Sequence, residues 1–201
     1  MSSLAVSRRR FLGTTLLGLG APLVVPASAL GLDGATAPSN RIALGCVGVG
    51  GMGMANLNSF LRFDDVQVVA VCDVDKAHRS AARERVQQHY ADSSASGFHD
   101  GCDSLEDFRE LIARDDIDAL MIATPDHWHA IPVIMAAQNG KDIYCEKPLS
   151  LTIPEGQAIV NAVKRYGRVL QTGTWRRSRV NCRFGCELVR NGRIGKLHTI
   201  K

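Results

Sequence analysis

The first 29 residues contain no aspartate or glutamate, and their only basic residues are Arg8, Arg9 and Arg10. The chain has 24 basic residues in all, so the other 21 face 20 acidic ones and the body of the protein is near neutral. That balance leaves no electrostatic footprint for nucleic acid. There is no low-complexity tract and no internal repeat, which argues against a disordered chain or a solenoid. Past the leader no apolar run approaches membrane-spanning length. The leader's own run is interrupted by glycine and proline, so no stable span is expected. With 201 residues, 45% hydrophobic and 22% charged, one packed domain and a small extension fit. Cysteine is sparse. Cys46, Cys72 and Cys145 fall inside apolar runs, where a cysteine behaves as a small buried hydrophobe. Cys182 and Cys186 are four apart and share a helix face if that segment is helical, but two thiols alone do not make a metal site, and none is expected.

What is present begins with a leader. Ser7-Arg8-Arg9-Arg10-Phe11-Leu12 precedes an apolar stretch to Val25 and then Pro26-Ala27-Ser28-Ala29. Ala27-x-Ala29 suits signal peptidase, with cleavage before Leu30. The arginine pair followed by Phe-Leu resembles a twin-arginine (Tat) signal, which implies export by the Tat machinery to the periplasm or another extracytoplasmic space. Residues 30–40, rich in Gly, Ala, Pro and Ser, read as a linker.

From residue 41 strand-like and helix-like segments alternate. Ile42–Val47, Val66–Cys72, Ile117–Ala123, Asp142–Cys145 and Val169–Gln171 are short apolar runs of strand character. Between them, Gly51–Phe63 carries Met54, Leu57 and Leu61 on one face, and Asp75–Tyr90 carries Ala77, Ala81 and Val86 on one side. Ala130–Asn139 ends at Gly140. Residues 92–103 read as a loop with room for a third strand that the sequence does not locate. Ser104-x-x-Asp107 resembles a capping box, opening a helix with Leu105, Phe108 and Ile112 on its stripe. Thr152-x-x-Glu155 opens another, with Ile159, Ala162, Val163 and Tyr166. This alternation predicts an α/β fold, a doubly wound parallel sheet of the Rossmann type. Residues 41–172 would form it. Residues 173–201 would be only the start of a second α/β domain: the turn at 191–195 leads into a strand pattern, Lys196–Lys201, that simply ends. A bare strand needs partners for its backbone, so a fragment is expected.

The strongest constellation is Gly48-x-Gly50-x-x-Gly53, with Gly51 and Met52 inside it, directly after the first strand and opening the first helix. In this setting the first glycine permits the tight turn, the second lets the backbone approach a pyrophosphate, and the third lets helix pack on strand. The N–H groups of the helix terminus then face the phosphates. Asp73 ends the second strand, where a carboxylate can accept from both ribose hydroxyls and would repel a 2′-phosphate. The next cations are Lys76 and Arg79, so NAD is favoured over NADP. Asp75 is the better candidate for capping the following helix. Two further strand ends carry polar clusters, Thr124-Pro125-Asp126-His127-Trp128-His129 and Glu146-Lys147-Pro148-Leu149. Both belong at the carboxyl edge of the sheet, where ligands bind in such folds. Asp126, His127 and His129 lack the further ligands that a metal would need. His129 is equally readable as a capping or packing residue.

The glycine motif, the Ala-Thr-Pro-Asp-His-Trp-His-Ala stretch and Glu-Lys-Pro-Leu together resemble the N-terminal half of the Gfo/Idh/MocA family over residues 41–201. The resemblance implies a Rossmann domain followed by an α/β domain on a large open sheet, through which oligomers assemble. It implies that Lys147 is the active-site lysine, beside nicotinamide and substrate hydroxyl. Pro148 would shape the bend, often through a cis bond, and Glu146 would orient the loop near the ribose. Thr124, Pro125 and His127 would line the cofactor pocket, and Trp175 and Arg176 would lie near nicotinamide and substrate. The family's catalytic histidine would lie beyond residue 201, so this chain would bind NAD yet turn over little. The activity implied is NAD-dependent oxidation or reduction of a hydroxyl on a sugar, polyol or sugar derivative. The alternatives are an exported NAD-dependent glycosidase of the same family and a non-catalytic nucleotide-binding remnant.

Overall fold

Runs of β-branched and small apolar residues form six strands, β1 (Ile42–Val47), β2 (Val66–Cys72), β3 (Asp103–Leu105), β4 (Ala119–Ile122), β5 (Asp142–Glu146) and β6 (Leu170–Gly173). A computed structural model of the chain describes residues 36–92 and 101–200. The leader, residues 30–35 of the linker and residues 93–100 of the expected loop lie outside the described residues. All six strands pair in parallel, in the order β3-β2-β1-β4-β5-β6. The connections are helices α1 (Gly51–Phe60), α2 (Lys76–Asp92), α3 (Phe108–Ile112), α4 (Ala130–Gln138) and α5 (Ile153–Tyr166), with α6 (Val180–Arg190) following β6. Chain order reverses between β1 and β4, and a crevice opens at such a switch point at the carboxyl ends of the strands.

Both faces of the sheet are covered. On one, Leu44, Cys46, Val68, Val71 and Met121 pack against Leu57, Leu61, Ala82, Val86 and Tyr90 of the segments around α1 and α2. On the other, Val47, Cys72, Leu120, Ile122 and Cys145 pack against Leu111, Val133, Ala137 and Ile159. A register slip opposite Leu44/Gly45 lets Val68 and Val71 point to the same face although they are three apart, as a bulge does. Gly45 meets this core directly, since a Cβ there would lie 2.6 Å from Leu111.

Several local expectations change. The buried stripe of α2 is Ala82, Val86 and Tyr90, whereas Ala77 and Ala81 face solvent. Tyr90 decides this rotation: its hydroxyl accepts from Val68 N–H at 2.8 Å, and the ring fills the sheet face. The third strand is Asp103–Leu105, so Ser104 belongs to a ladder with Val71 and cannot cap. Asp107 caps α3 instead, accepting from Arg109 N–H. Tyr166 is 39% exposed, beyond the buried stripe of Ile159 and Ala162. Residues 196–200 form no strand. The Thr152–Glu155 capping box is present in both directions. No helix among the described residues is long and apolar enough to cross a membrane.

Cys46, Cys72, Cys102 and Cys145 are buried and free. Burial pushes the thiols of Cys72, Cys102 and Cys145 up to about 12 and raises Cys46 also, so none offers thiolate at neutral pH. Thiol titration of the folded chain is expected to detect Cys182 and Cys186 quickly and the other four only after denaturation. Fast modification of any of the four at neutral pH counts against this core.

Candidate functional site

A cleft of about 860 Å³ opens at the carboxyl ends of β1, β2, β3 and β4. Its volume is in the range of cofactor sites. Gly48, Gly50, Asp73, Thr124, Pro125 and His127 line it. These expected residues come from three separate loops, and the switch point brings them together. Gly51, Met52 and Gly53 are not among the lining residues and form the first turn of α1.

The glycine turn is built by contact. Gly48 has φ +78°, and a Cβ there would lie 2.6 Å from Thr124 N, so this position is closed to other residues. A Cβ on Gly53 would lie 1.8 Å from the carbonyl oxygen of Gly48. Helix α1 is therefore seated directly on the turn. Its N-cap is Gly50, with no side-chain cap, and its first bond runs from Met54 N–H to Gly50 O. The amides of Gly51, Met52 and Gly53 have no intrahelical acceptors. A Cβ on Gly50 would meet only the His78 ring, at 3.5 Å, which leaves the backbone open toward the cleft.

Asp73 ties the second strand to this turn. Its Oδ2 accepts from Val49 N–H and its Oδ1 from Asp75 N–H, both at 2.9 Å. His78 Nδ1 stands 3.7 Å from Oδ2. Arg79 does not face the cleft as a free cation. Its guanidinium donates to the carbonyls of Asp73 and Val74 and to Glu106. Asp75 caps α2 as expected, accepting from Ala77 and His78 N–H. Those bonds, that from His78 first, hold its carboxyl below the usual aspartate range.

Further lining residues escaped the sequence reading: His78, Glu106, Asp107, Phe108, Arg109 and Trp128. Four of them follow β3, a strand of three residues too short to signal itself, so its carboxyl end was not assigned to the rim. Phe108 and Trp128 meet edge to face, with centroids 6.1 Å apart, and form an apolar wall.

Glu146, Lys147, Pro148, Trp175 and Arg176 do not line this cleft. They stand farther along the same rim, at the ends of β5 and β6, where Glu146 pairs in register with Gly173. Glu146 is buried and accepts from Asn56 Nδ2 of α1 at 2.9 Å, from Tyr144 OH at 3.3 Å and from Lys147 N–H at 3.1 Å. Gly173 leaves it room, because a Cβ there would lie 2.7 Å from the Glu146 carboxylate. Lys147 is exposed, and the Lys147–Pro148 bond is cis. The guanidinium groups of Arg176 and Arg179 lie over the Trp175 ring, 4.8 and 4.3 Å from its centre. The His129 ring does not cap α4. It is buried and bonded elsewhere. No group of three or more potential metal ligands occurs among the described residues.

Two outcomes follow from this geometry. Gly53→Ala should abolish nucleotide binding or folding, since the added methyl overlaps a backbone oxygen, whereas Gly51→Ala, with nothing near its Cβ, should retain the melting temperature. Equal melting temperatures and equal binding for both variants would contradict it. Asp75 has a lowered folded pKa, so its cap is intact above the unfolded value and is lost only as pH falls through the lower folded one. A carbon-detected titration of the Asp75 carboxyl should show its inflection below that of an ordinary aspartate, together with the amide shifts of Ala77 and His78. An inflection at or above the ordinary value sinks the assignment.

Known proteins place this arrangement. The inositol 2-dehydrogenase of Rubrobacter xylanophilus is 38% identical over 141 residues, which are 69% of this chain and 37% of that protein. An alpha-N-acetylgalactosaminidase of Shewanella oneidensis is 33% identical over 141 residues, 70% of this chain and 30% of that one. Among solved structures, the scyllo-inositol dehydrogenase of Lactobacillus casei with NAD(H) and scyllo-inositol bound superposes with a TM-score of 0.62 at 24% identity. The match covers 78% of this chain and 43% of that one. The chain thus spans well under two thirds of the length of the relatives it matches. Residues 42–174 match the model of the oxidoreductase family described as the NAD-binding Rossmann fold, and with the glycine turn, the acid at the second strand end and the parallel order all in place, the chain belongs to the Gfo/Idh/MocA oxidoreductases.

Proposed function

We propose that this chain holds NAD along the carboxyl rim of its sheet and forms the cofactor half of a dehydrogenase acting on a hydroxyl of a sugar, polyol or sugar derivative. The observation that carries this reading is the capless helix terminus on Gly50, seated on Gly48 and tied through Val49 to the Asp73 carboxylate. The residues fit such a group. The amides of Gly51, Met52 and Gly53 and the backbone of Gly48 and Gly50 take the phosphates. Asp73 keeps lone pairs free for ribose hydroxyls after its two backbone bonds. Buried Thr124 Oγ1, without a hydrogen-bond partner among the described residues, sits beside Pro125 and His127 on the same wall. When bound, nicotinamide dinucleotide supplies the hydride acceptor or donor for alcohol and ketone interconversion.

The chain's own residues supply the rest. Lys147, with no carboxylate paired to its ammonium among the described residues, orients the substrate hydroxyl and moves its proton. Glu146 fixes the backbone from which Lys147 and Pro148 project. Trp175 and Arg176 face the substrate side. NAD is preferred over NADP because Asp73 repels a 2′-phosphate, Arg79 is committed to backbone carbonyls and Glu106, and Arg109, which lines the cleft, is paired with Asp107. The arginine-rich leader supports export by the Tat route, which carries folded, cofactor-loaded proteins, and the full-length form is proposed to be a homo-oligomer. The Shewanella relative's name supplies one second, less favoured reading, an exported glycosidase that uses its NAD transiently.

Calorimetry is expected to give heat with NAD and weaker binding with NADP. Equal or tighter NADP binding removes the cofactor preference, and no heat with either removes the reading. Asp73→Asn should weaken NAD by roughly tenfold to a hundredfold, the size of a lost hydrogen bond to a charged group. Each carboxylate oxygen accepts an N–H, so the amide must set one donor against another. With the full-length holoprotein on a panel of sugars and polyols, accumulation of reduced nicotinamide identifies a dehydrogenase. Glycoside cleavage without net reduced nicotinamide identifies the glycosidase.

A further inference from the structure

His129 precedes α4 and is 1% exposed. Each ring nitrogen faces a backbone carbonyl oxygen, Nδ1 that of Pro148 at 2.6 Å and Nε2 that of Thr124 at 2.7 Å. A carbonyl oxygen accepts and never donates, so a neutral ring donates to one of the two carbonyls and packs against the other, the tautomer deciding which. Thr124 lines the cleft at the end of β4, and Pro148 follows Lys147 at the end of β5. The ring is therefore a buried strut between the cofactor loop and the lysine loop. An apolar residue of the same size would fill the space but take the ring's donor away from between the two carbonyls.

We propose that His129 is a positioning residue for Lys147: it couples the ordering of the Thr124 segment by a bound nucleotide to the ordering of the 147–151 loop. This rests on the dinucleotide reading above. Among the described residues no other side chain bonds to both loops. Glu146 steadies the same loop from the other side, through Asn56 of α1. The lysine is thus held from the glycine-turn helix and from the β4 loop at once, and its place depends on whether those two are ordered.

ADP tests this coupling, because it reaches the glycine turn and Asp73 but has neither the second ribose nor nicotinamide with which to touch the lysine loop. Hydrogen exchange of the full chain is compared with and without ADP at a concentration that saturates its calorimetric signal. In the wild type, ADP should slow exchange in residues 126–128 and also in residues 149–151, the latter by roughly fivefold, the size of one buried hydrogen bond. In His129→Phe the slowing at 126–128 should persist and that at 149–151 should vanish. Stabilisation of the whole fold by ADP slows all amides that exchange through global unfolding, so the response at 149–151 is read relative to that of the core strands β1 and β4. If His129→Phe does not fold, His129→Gln, whose amide nitrogen donates from a flexible chain that cannot hold the ring's place between the loops, decides the matter, with a reduced response at 149–151 expected. An unchanged response in the variant, or none in the wild type while ADP binds, overturns the proposal. Absence of heat with ADP is a separate outcome: it removes the dinucleotide reading and this inference with it.

Discussion

The approach of Gly53 to the carbonyl of Gly48 is the constraint on which the rest of the molecule depends. A side chain at position 53 would occupy the space of a backbone oxygen, so only glycine lets α1 begin where it does. Because the helix begins there, its first amides point past the end of β1 instead of into protein. Because the turn is that tight, Val49 presents its N–H to Asp73, and the second strand end is brought to the same rim. Gly48 in turn lies against Thr124 N, which sets the β4 loop. Three strand ends are thus registered to one another by backbone contacts that no longer side chain would permit.

The lysine end of the rim is organised differently. There the contacts are buried polar ones. Glu146 collects three hydrogen bonds, from Asn56, Tyr144 and the Lys147 amide, and His129 joins Thr124 to Pro148. A buried carboxylate is tolerable only with such partners. The polar groups are costly to leave unpaired, and that cost confines the loop to one arrangement. Lys147 itself is exposed, and its amide is held by the Glu146 carboxylate.

Much of this was legible in the residues. The spacing of Gly48, Gly50 and Gly53 after a β-rich run, and an acid twenty residues on, carry a steric and electrostatic meaning that does not depend on the rest of the fold. The capping box at Thr152 and Glu155 is equally local and formed as read. Where reading failed, a long-range contact had intervened. Ala77 and Ala81 were plausible core residues by periodicity, but α2 is rotated so that Tyr90 reaches Val68. Ser104 had the spacing of a cap, but Val71 recruited it into a ladder. Phe108, Arg109 and Glu106 carried no motif, and they reached the cleft only because a three-residue strand delivers them there.

The sequence by itself determined the class of fold and the glycine turn, because strand and helix periods and the absence of a Cβ are properties of neighbouring residues. Only the tertiary structure decided that the expected site divides into a cleft at Gly48, Asp73 and Thr124 and a separate stretch of rim at Lys147 and Trp175. It alone showed that His129 joins the two. Those relations depend on the order in which parallel strands lie side by side, and that order follows from packing between residues far apart in the chain.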